Sequence, residues 1–157
     1  MMKASFEELS RRVAPLFSRV ESEGFESLTE PERVLFIVWA AVGQIENGGF
    51  DQFFYNSSGN FALEAVSALE AIGAIHKAAV VKRALALFPD SLPPRDRNAR
   101  IELLDNIAGT EDEDAFDPLN EEFYAIPENT DLLLAAYLES HDSEVTRVDG
   151  SGADPQR

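Results

Sequence analysis

The sequence predicts an all-α fold, a single compact domain of about seven or eight helices around a buried central helix. Apolar residues recur at helical steps along most of the chain, with almost no strand-like alternation. One stretch, VLFIVWAAVGQI, is apolar on every side of a helix, which is typical of a buried helix. The 157 residues suffice for one hydrophobic core. We therefore expect one domain over residues 1–142 and a flexible tail over residues 143–157.

The first two helices have distinct signatures. An amphipathic helix opens the chain, and Pro15 should kink it. In the central helix Thr29 can cap the first turn, Glu32 can close a capping box, and Pro31 is tolerated near the start. Because Trp39 lies within the all-apolar stretch, we expect its indole in the core. The inward positions of the first helix are Phe6, Leu9, Val13, Leu16 and Val20.

Glycine and proline divide the middle of the chain into three further helices. Gly73 separates the third helix from the fourth, and a proline-rich stretch, residues 89–94, ends the fourth. The fifth covers residues 97–107. The positions that we expect to face inward are Phe61, Ala65, Leu69 and Ile72 in the third helix, Ile75, Ala79, Lys82, Leu85 and Phe88 in the fourth, and Ile101, Leu104 and Ile107 in the fifth.

Two short helices complete the predicted domain. Asp117 is suited to cap the sixth helix, with Pro118 in its first turn. Asn129 or Thr130 caps the last helix. Both helices therefore have a start signal of their own.

Composition excludes several classes of protein. The chain has no cysteine, so it has no disulfide, thiolate nucleophile or cysteine-based metal site, and it suits a reducing cytosol. Its first residues lack the apolar core of a secretory signal. No apolar run approaches the roughly 20 residues that span a bilayer. We expect a cytoplasmic protein that does not bind membranes.

Negative charge is concentrated in one segment. The formal net charge is −16, yet residues 1–100 hold 13 acidic and 11 basic side chains. Residues 101–146 hold 14 acidic side chains and no lysine or arginine. Direct binding to nucleic acid or to an anionic membrane needs clustered lysine and arginine. The distribution therefore argues against both.

The segment ENGGFDQFFYNSSG, residues 46–59, follows the all-apolar stretch, and we name it the corner. Asn47-Gly48-Gly49 is a strong helix stop, because glycine adopts the left-handed conformation at little steric cost. The three phenylalanines that follow fit one turn of a short helix pressed onto the core. The sequence therefore predicts a change of chain direction at the glycine pair.

Polar side chains surround the corner and allow two interpretations. Buried amides need hydrogen-bond partners, which exposed helix ends supply, so these residues would fasten the turn. Alternatively, they line a small-ligand or catalytic pocket between helices. Local geometry favours fastening. The residues of the motif and of the candidate pocket are Gln44, Glu46, Asn47, Gly48, Gly49, Phe50, Gln52 and Asn56.

The corner and the helix after it resemble the signature of a known family. The residues that carry the resemblance are Asn47-Gly48-Gly49-Phe50, Gln52-Phe53-Phe54, Asn56-Ser57-Ser58-Gly59 and the following ALEAVSALEAIGA. This pattern is similar to that of a bacterial family of otherwise uncharacterised all-helical domains whose best-known member is a DNA mimic. The match is specific over residues 46–73 and looser over about residues 5–140.

The resemblance implies a helical domain, often a homodimer, whose acidic surface occupies the DNA-binding face of a partner such as a transcriptional repressor. It implies no catalysis. The motif itself marks the fold, so a member with different surface acids could have another role. On this basis we expect the partner to be a DNA-binding protein with a basic face.

The acidic run EDEDAFDPLNEE, residues 111–122, is the basis for mimicry, because seven of its twelve positions are acidic. Each DNA strand presents one phosphate charge about every 3.4 Å, and carboxylates one helical turn apart lie about 5–6 Å from each other. Acids that serve only solubility, in an accessory domain without mimicry, remain the alternative. The predicted partner-binding residues, which should line one exposed face free of lysine and arginine, are Glu102, Asp105, Glu111, Asp112, Glu113, Asp114, Asp117, Glu121 and Glu122.

No enzyme signature is present in the sequence. The two histidines, His76 and His141, do not form an HExxH pattern, and no glycine-rich phosphate loop occurs. We expect His76 to be a partly exposed surface residue and not a general base. The acidic run departs from an EF-hand because Asp117 stands where that loop needs glycine. We predict a protein that is not an enzyme and has no cofactor and no metal site.

Overall fold

The computed structural model describes residues 2–109 and 114–141. Within these residues the chain forms seven α-helices and no strand, which confirms the predicted all-α fold. None of these helices is both long and apolar enough to cross a membrane. The helices are α1 (Met2–Glu23), α2 (Glu30–Tyr55), α3 (Ala62–Ala71), α4 (Ile75–Leu85), α5 (Arg97–Ala108), α6 (Asp117–Ala125) and α7 (Thr130–Ser140).

Helix α2 is the central helix of the domain. It packs against α1, α3, α5, α6 and α7. Its start is the predicted capping box, in which the Glu32 N–H donates to Thr29 Oγ1 at 3.4 Å and the Thr29 N–H donates to Glu32 Oε1 at 2.9 Å. Leu35 and Ile45 are completely buried within it. The prediction of a buried central helix is confirmed.

The glycine pair divides α2 into two halves. Gly48 and Gly49 both have non-helical dihedral angles, and Gly49 has a positive φ of 78°. Residues 30–47 form the first half and residues 50–55 form the second half. The predicted helix stop is therefore a sharp break between two helical segments that follow each other directly.

The expectation that Trp39 lies in the core is wrong. Its side chain is only half-buried. One side of the indole contacts Phe6 of α1, with ring centroids 5.2 Å apart, and Phe6 is itself 52% exposed. The other side lines a groove between α1 and α2. Trp39 is only half-buried because α1 covers this part of α2 incompletely.

The predicted inward face of α4 is also wrong over its first two turns. Ile75, Ala79 and Lys82 are exposed, whereas Lys77 and Val81 are buried. The inward face is rotated because α4 packs between α3 and α6. The remaining buried residues of this helix are Ala78, Val80, Ala84 and Leu85, and Phe88 beyond it is buried as predicted.

Of the caps predicted for the last two helices, one is confirmed and one is wrong. Asn129 caps α7 by accepting a hydrogen bond from the Leu132 N–H at 3.0 Å, as predicted. Asp117 is the first residue of α6 and not its cap. The side chain of Asp114 instead accepts the Phe116 N–H at 2.8 Å, which organises the turn before α6.

Candidate protein-interaction site

Helix α6 docks on the corner through Gly49. The dihedral angles of Gly49, φ 78° and ψ −175°, lie in a region that is essentially restricted to glycine. A Cβ atom at this position would lie 2.7 Å from Nδ2 of Asn120. Asn120, on α6, accepts the Phe50 N–H through Oδ1 at 2.8 Å. Gly49 thus leaves the space in which Asn120 caps the second half of α2.

Apolar contacts and one further hydrogen bond fix α6 in the same place. Phe116 and Phe123 are completely buried, with ring centroids 6.2 and 5.8 Å from that of Phe50. The Tyr124 hydroxyl donates to the Ile45 carbonyl oxygen at 2.7 Å. The inner face of α6 is therefore held by both halves of α2.

The amide side chains of the corner fasten the break in α2. Oε1 of Gln44, in the first half, accepts hydrogen bonds from Gln52 Nε2 and from Asn56 Nδ2, each at 2.8 Å. Ser58 Oγ donates to the Phe53 carbonyl oxygen at 2.9 Å. These bonds support the interpretation that the polar residues of the corner hold the turn.

A buried arginine, which sequence reasoning missed, completes the corner. Arg100 on α5 is completely buried, and its guanidinium donates four hydrogen bonds to backbone carbonyl oxygens at 2.6–3.1 Å. Two of these oxygens, those of Phe54 and Asn56, belong to the end of α2. A Cβ atom on Gly59 would lie 2.6 Å from Arg100 Nε. The last glycine of the motif was the only sequence signal for this contact.

The structure brings only part of the candidate pocket together: Gln44, Asn47 and Asn56 line one groove, whereas Glu46 and Gln52 lie outside it. Glu46 points towards α4, where its carboxylate lies 3.8 Å from Lys77 Nζ. Asn47 lies in a groove of about 660 Å³ with Trp39 and other aromatic residues. Gln52 lies in a separate open cleft of about 510 Å³ between the second half of α2 and α5. Because α2 is broken at the glycine pair, polar side chains that are close in sequence point in different directions.

Most of the described acids that were predicted to bind a partner are exposed. Glu102 and Asp105 on α5, and Asp117 and Glu121 on α6, are all exposed. Within residues 2–109 and 114–141, none of these four forms an ion pair. Asp114 is half-buried. Three other predicted residues, Glu111, Asp112 and Glu113, lie outside the described residues.

The predicted face is not free of basic side chains at Glu122. Nη1 of Arg83, in the last turn of α4, donates to Glu122 Oε2 at 3.0 Å. This bond lowers the pKa of Glu122 below its ordinary value. Arg83 reaches Glu122 because α4 packs beside α6. Glu122 therefore forms an ion pair, unlike the four exposed acids Glu102, Asp105, Asp117 and Glu121, which we name the acidic surface.

Asp51, which sequence reasoning did not select, connects the acids of α5 with those of α6. It lines the cleft that also contains Asp105. Its carboxyl group lies near those of Asp114 and Asp117. Burial, followed by the contact with Asp114 and the two neighbouring negative charges, raises the pKa of Asp51 to about 7. The sequence signal was its position between the glycine pair and Gln52.

The structure places His76 at the start of α4, beside Glu128. His76 is exposed, as predicted, and its Nδ1 lies 2.8 Å from Glu128 Oε2. Glu128 also accepts the backbone N–H groups of His76 and Lys77, at 2.9 and 2.8 Å, and so caps the start of α4. Among the residues that the structure describes, no group of three or more acidic or histidine side chains is placed to hold a metal ion.

The fold and the site together define an all-helical domain that presents carboxylates on helices anchored to a glycine-rich corner. The chain belongs to the DMP19-like protein family, whose model matches residues 26–141. The match begins before α2 and ends after α7, so it includes the corner, α5 and α6. Comparison with curated proteins and with solved structures gave no significant match.

Proposed function

We propose that this protein is an acidic protein-interaction module that acts as a DNA mimic. It would occupy the DNA-binding face of a transcription factor or another DNA-binding protein. Its membership in the DMP19-like family, a family of DNA mimics, supports this role. The structural observation that carries the proposal is a set of exposed carboxylates, without ion pairs among the described residues, on helices that the corner holds in place.

The spacing of these carboxylates suits the proposal. Glu102 and Asp105 are three positions apart on α5, and Asp117 and Glu121 are four positions apart on α6. Side chains at these spacings lie about 5–6 Å from each other on a helix. Within each helix, the negative charges are therefore spaced within a factor of two of the roughly 3.4 Å between phosphates along one DNA strand.

Anchoring of α6 is as important to this role as its charge. A partner gains many charge contacts at once only if the carboxylates are held in a fixed array, because ordering mobile side chains and segments on binding costs free energy. The contacts of Asn120, Phe123 and Tyr124 with α2 remove much of that cost before binding. An acidic segment that served solubility alone would not need such anchors.

A charge-neutralisation experiment tests the proposal. In one variant, Glu102, Asp105, Asp117 and Glu121 are replaced by the corresponding amides. The control variant carries Glu→Gln at Glu7, Glu23, Glu70 and Glu139, which are exposed on other helices. Both variants change the net charge by the same amount. Each is immobilised and used to capture proteins from an extract of the source cells, with and without competing duplex DNA and over a range of salt concentrations.

The first variant should lose a DNA-binding protein that the wild type and the control both retain. Added DNA should displace that protein from the wild type, and its binding should weaken steeply as salt rises, because the contact is electrostatic. If both variants capture the same proteins, or if excess DNA displaces none of them, the DNA-mimic proposal is wrong.

A small-ligand site is the second candidate function, and the groove beside Trp39 favours it. The groove has a volume of about 660 Å³ and aromatic walls that include Phe17 and Phe61, with Asn47 and Asn60 among its polar residues. This combination is typical of sites that orient a flat, mostly apolar ligand. Ligands of that kind should change the fluorescence of Trp39. A panel that leaves its emission unchanged at millimolar concentration would count against this candidate.

A further inference from the structure

We infer that the groove beside Trp39 binds a flat aromatic amine, which is a ring system that carries a positively charged ammonium group. The inference rests on the small-ligand candidate above and adds to it the charge of the ligand and the group that recognises it. The groove lies between the last turns of α1, the first half of α2 and residues 56–61, which follow α2. Aromatic rings and hydrogen-bond acceptors meet in this groove.

Four aromatic side chains form the apolar part of the groove. The ring centroid of Phe36 lies 4.9 Å from that of Phe17 and 5.3 Å from that of Phe61, so these three rings form a continuous wall. Trp39 follows Phe36 by three positions on α2 and is half-buried. Aromatic rings stack on flat ring systems, and their faces attract ammonium groups. The wall therefore suits both parts of an aromatic amine.

Asn60 supplies a hydrogen-bond acceptor that the fold leaves unused. Its side-chain oxygen, Oδ1, is buried, and among the described residues no group donates a hydrogen bond to it. A buried acceptor without a donor costs free energy, so this atom indicates a ligand that donates. By contrast, Oε1 of Gln44, which also lines the groove, already accepts bonds from Gln52 and Asn56. An N–H group of a ligand would supply the donor that Asn60 lacks.

The charged groups of the groove favour a cation. Glu21, in the last turn of α1, lines the groove, is exposed and forms no ion pair within residues 2–109 and 114–141. Among the described lining residues there is no lysine, arginine or histidine. The net charge of −16 adds a field that attracts cations. An ammonium group has both the charge that Glu21 attracts and a donor for Asn60, whereas an anion would meet no cationic side chain.

Gly43 leaves open space in the same groove. It lies four positions after Trp39 and four before Asn47, so the three residues share one side of α2, and all of them line the groove. A Cβ atom at Gly43 would have no atom from another part of the described chain within 4 Å. Glycine within a helix is destabilising relative to alanine, and packing does not require it here. A ligand that lies against this part of α2 explains the open space.

NMR titration of the full chain with three naphthalene probes tests the inference. 1-Naphthylmethylamine carries the ring and the ammonium group, its trimethylammonium analogue keeps the charge but has no N–H, and 1-naphthoate is an anion. Because the chain has one tryptophan, its indole N–H signal reports on Trp39 alone. We expect the amine to shift this signal and to bind about tenfold more tightly than 1-naphthoate, since it gains a hydrogen bond and a contact with the aromatic wall.

Two variants show where the amine binds and what recognises it. Asn60→Leu should weaken binding of the amine by roughly tenfold, because one hydrogen bond from a charged donor is lost. The same variant should leave binding of the trimethylammonium analogue nearly unchanged. Gly43→Leu should weaken binding of both cations, because the new side chain occupies the groove. Ala79→Leu, on the exposed side of α4, is the matched control and should bind both cations like the wild type.

The inference is wrong if 1-naphthoate binds as tightly as the amine, if Asn60→Leu weakens both cations equally, or if Gly43→Leu binds the amine like the wild type. Should Asn60→Leu fail to fold, Gly43→Leu and the comparison of probes on the wild type decide the question. If no probe shifts the Trp39 signal at millimolar concentration, the small-ligand candidate fails as well. Tight binding of 1-naphthoate in the groove would instead leave that candidate intact. No measurement involves a DNA-binding partner, so the DNA-mimic proposal is tested separately.

Discussion

The corner and the acidic surface use polar side chains in opposite ways. In the corner, Gln44 and Arg100 bond to groups of the chain itself, and the glycines leave the space for these bonds. On the acidic surface, Asp105 and Glu121 point to solvent without an ion pair among the described residues. The requirements of folding explain the first arrangement, because buried polar groups must be paired. They do not explain the second.

Helix α6 connects the two regions because it belongs to both. Asn120 and Phe123 on its inner face complete the corner, while Asp117 and Glu121 are exposed. Damage to the corner should therefore disturb the acidic surface. Neutralising the surface should leave the corner intact, and this asymmetry can be tested one residue at a time.

Replacing the buried arginine should have the largest effect. Arg100→Met keeps much of the buried volume but leaves four carbonyl oxygens without their charged donor. We expect the free energy of unfolding to fall by about 4 kcal/mol, as measured by urea denaturation. Arg97→Met is the control, since it removes one surface hydrogen bond to the Tyr55 carbonyl oxygen and a contact with the Tyr55 ring. A similar small loss in both variants would mean that the corner does not depend on Arg100.

Gly49→Ala should have the next largest effect. The alanine would occupy a backbone region that only glycine tolerates, and its Cβ atom would displace Asn120. We expect a loss of about 3 kcal/mol in thermal or urea unfolding, from backbone strain and the lost bond to Phe50 together. Gly43→Ala is the matched control, since Gly43 is helical with open space around it, and it should stabilise by about 0.5–1 kcal/mol.

Removal of the Asn120 side chain should have a moderate effect. Asn120→Ala leaves the Phe50 N–H without its acceptor, for an expected loss of about 1–2 kcal/mol. A double variant with Gly49→Ala sharpens the test. Because both changes break the same contact, the double variant should be more stable than the sum of the single losses predicts. Strict additivity would show that Gly49 and Asn120 act independently.

The sequence predicts most of the helices because their signals are local. The capping box of Thr29 and Glu32 and the cap at Asn129 involve residues three positions apart, so the pattern is visible along the chain. The glycine pair likewise predicts a helix break from local sequence alone. Existence and type of each helix follow from such signals.

What the sequence does not predict depends on contacts between distant segments. Asn120 and Phe50 are 70 positions apart, and nothing near either residue indicates the other. In the sequence alone, Arg100 resembles a surface residue of an amphipathic helix. It is buried because the end of α2 packs against it. Site residues of this kind require the tertiary structure.

Neutralisation of the acidic surface should have the smallest effect on the free energy of unfolding. The direction of this effect should be opposite to that of the three preceding variants. Glu102→Gln, Asp105→Asn and Glu121→Gln remove exposed carboxylates that have no ion-pair partner among the described residues. Each change should alter the free energy of unfolding by less than about 0.5 kcal/mol. Because neighbouring negative charges repel, the combined variant should be at least as stable as the wild type at low salt, and added salt should remove the difference. A loss of stability comparable with that of Asn120→Ala would mean that these carboxylates support the fold, and the contrast between the corner and the acidic surface would fail.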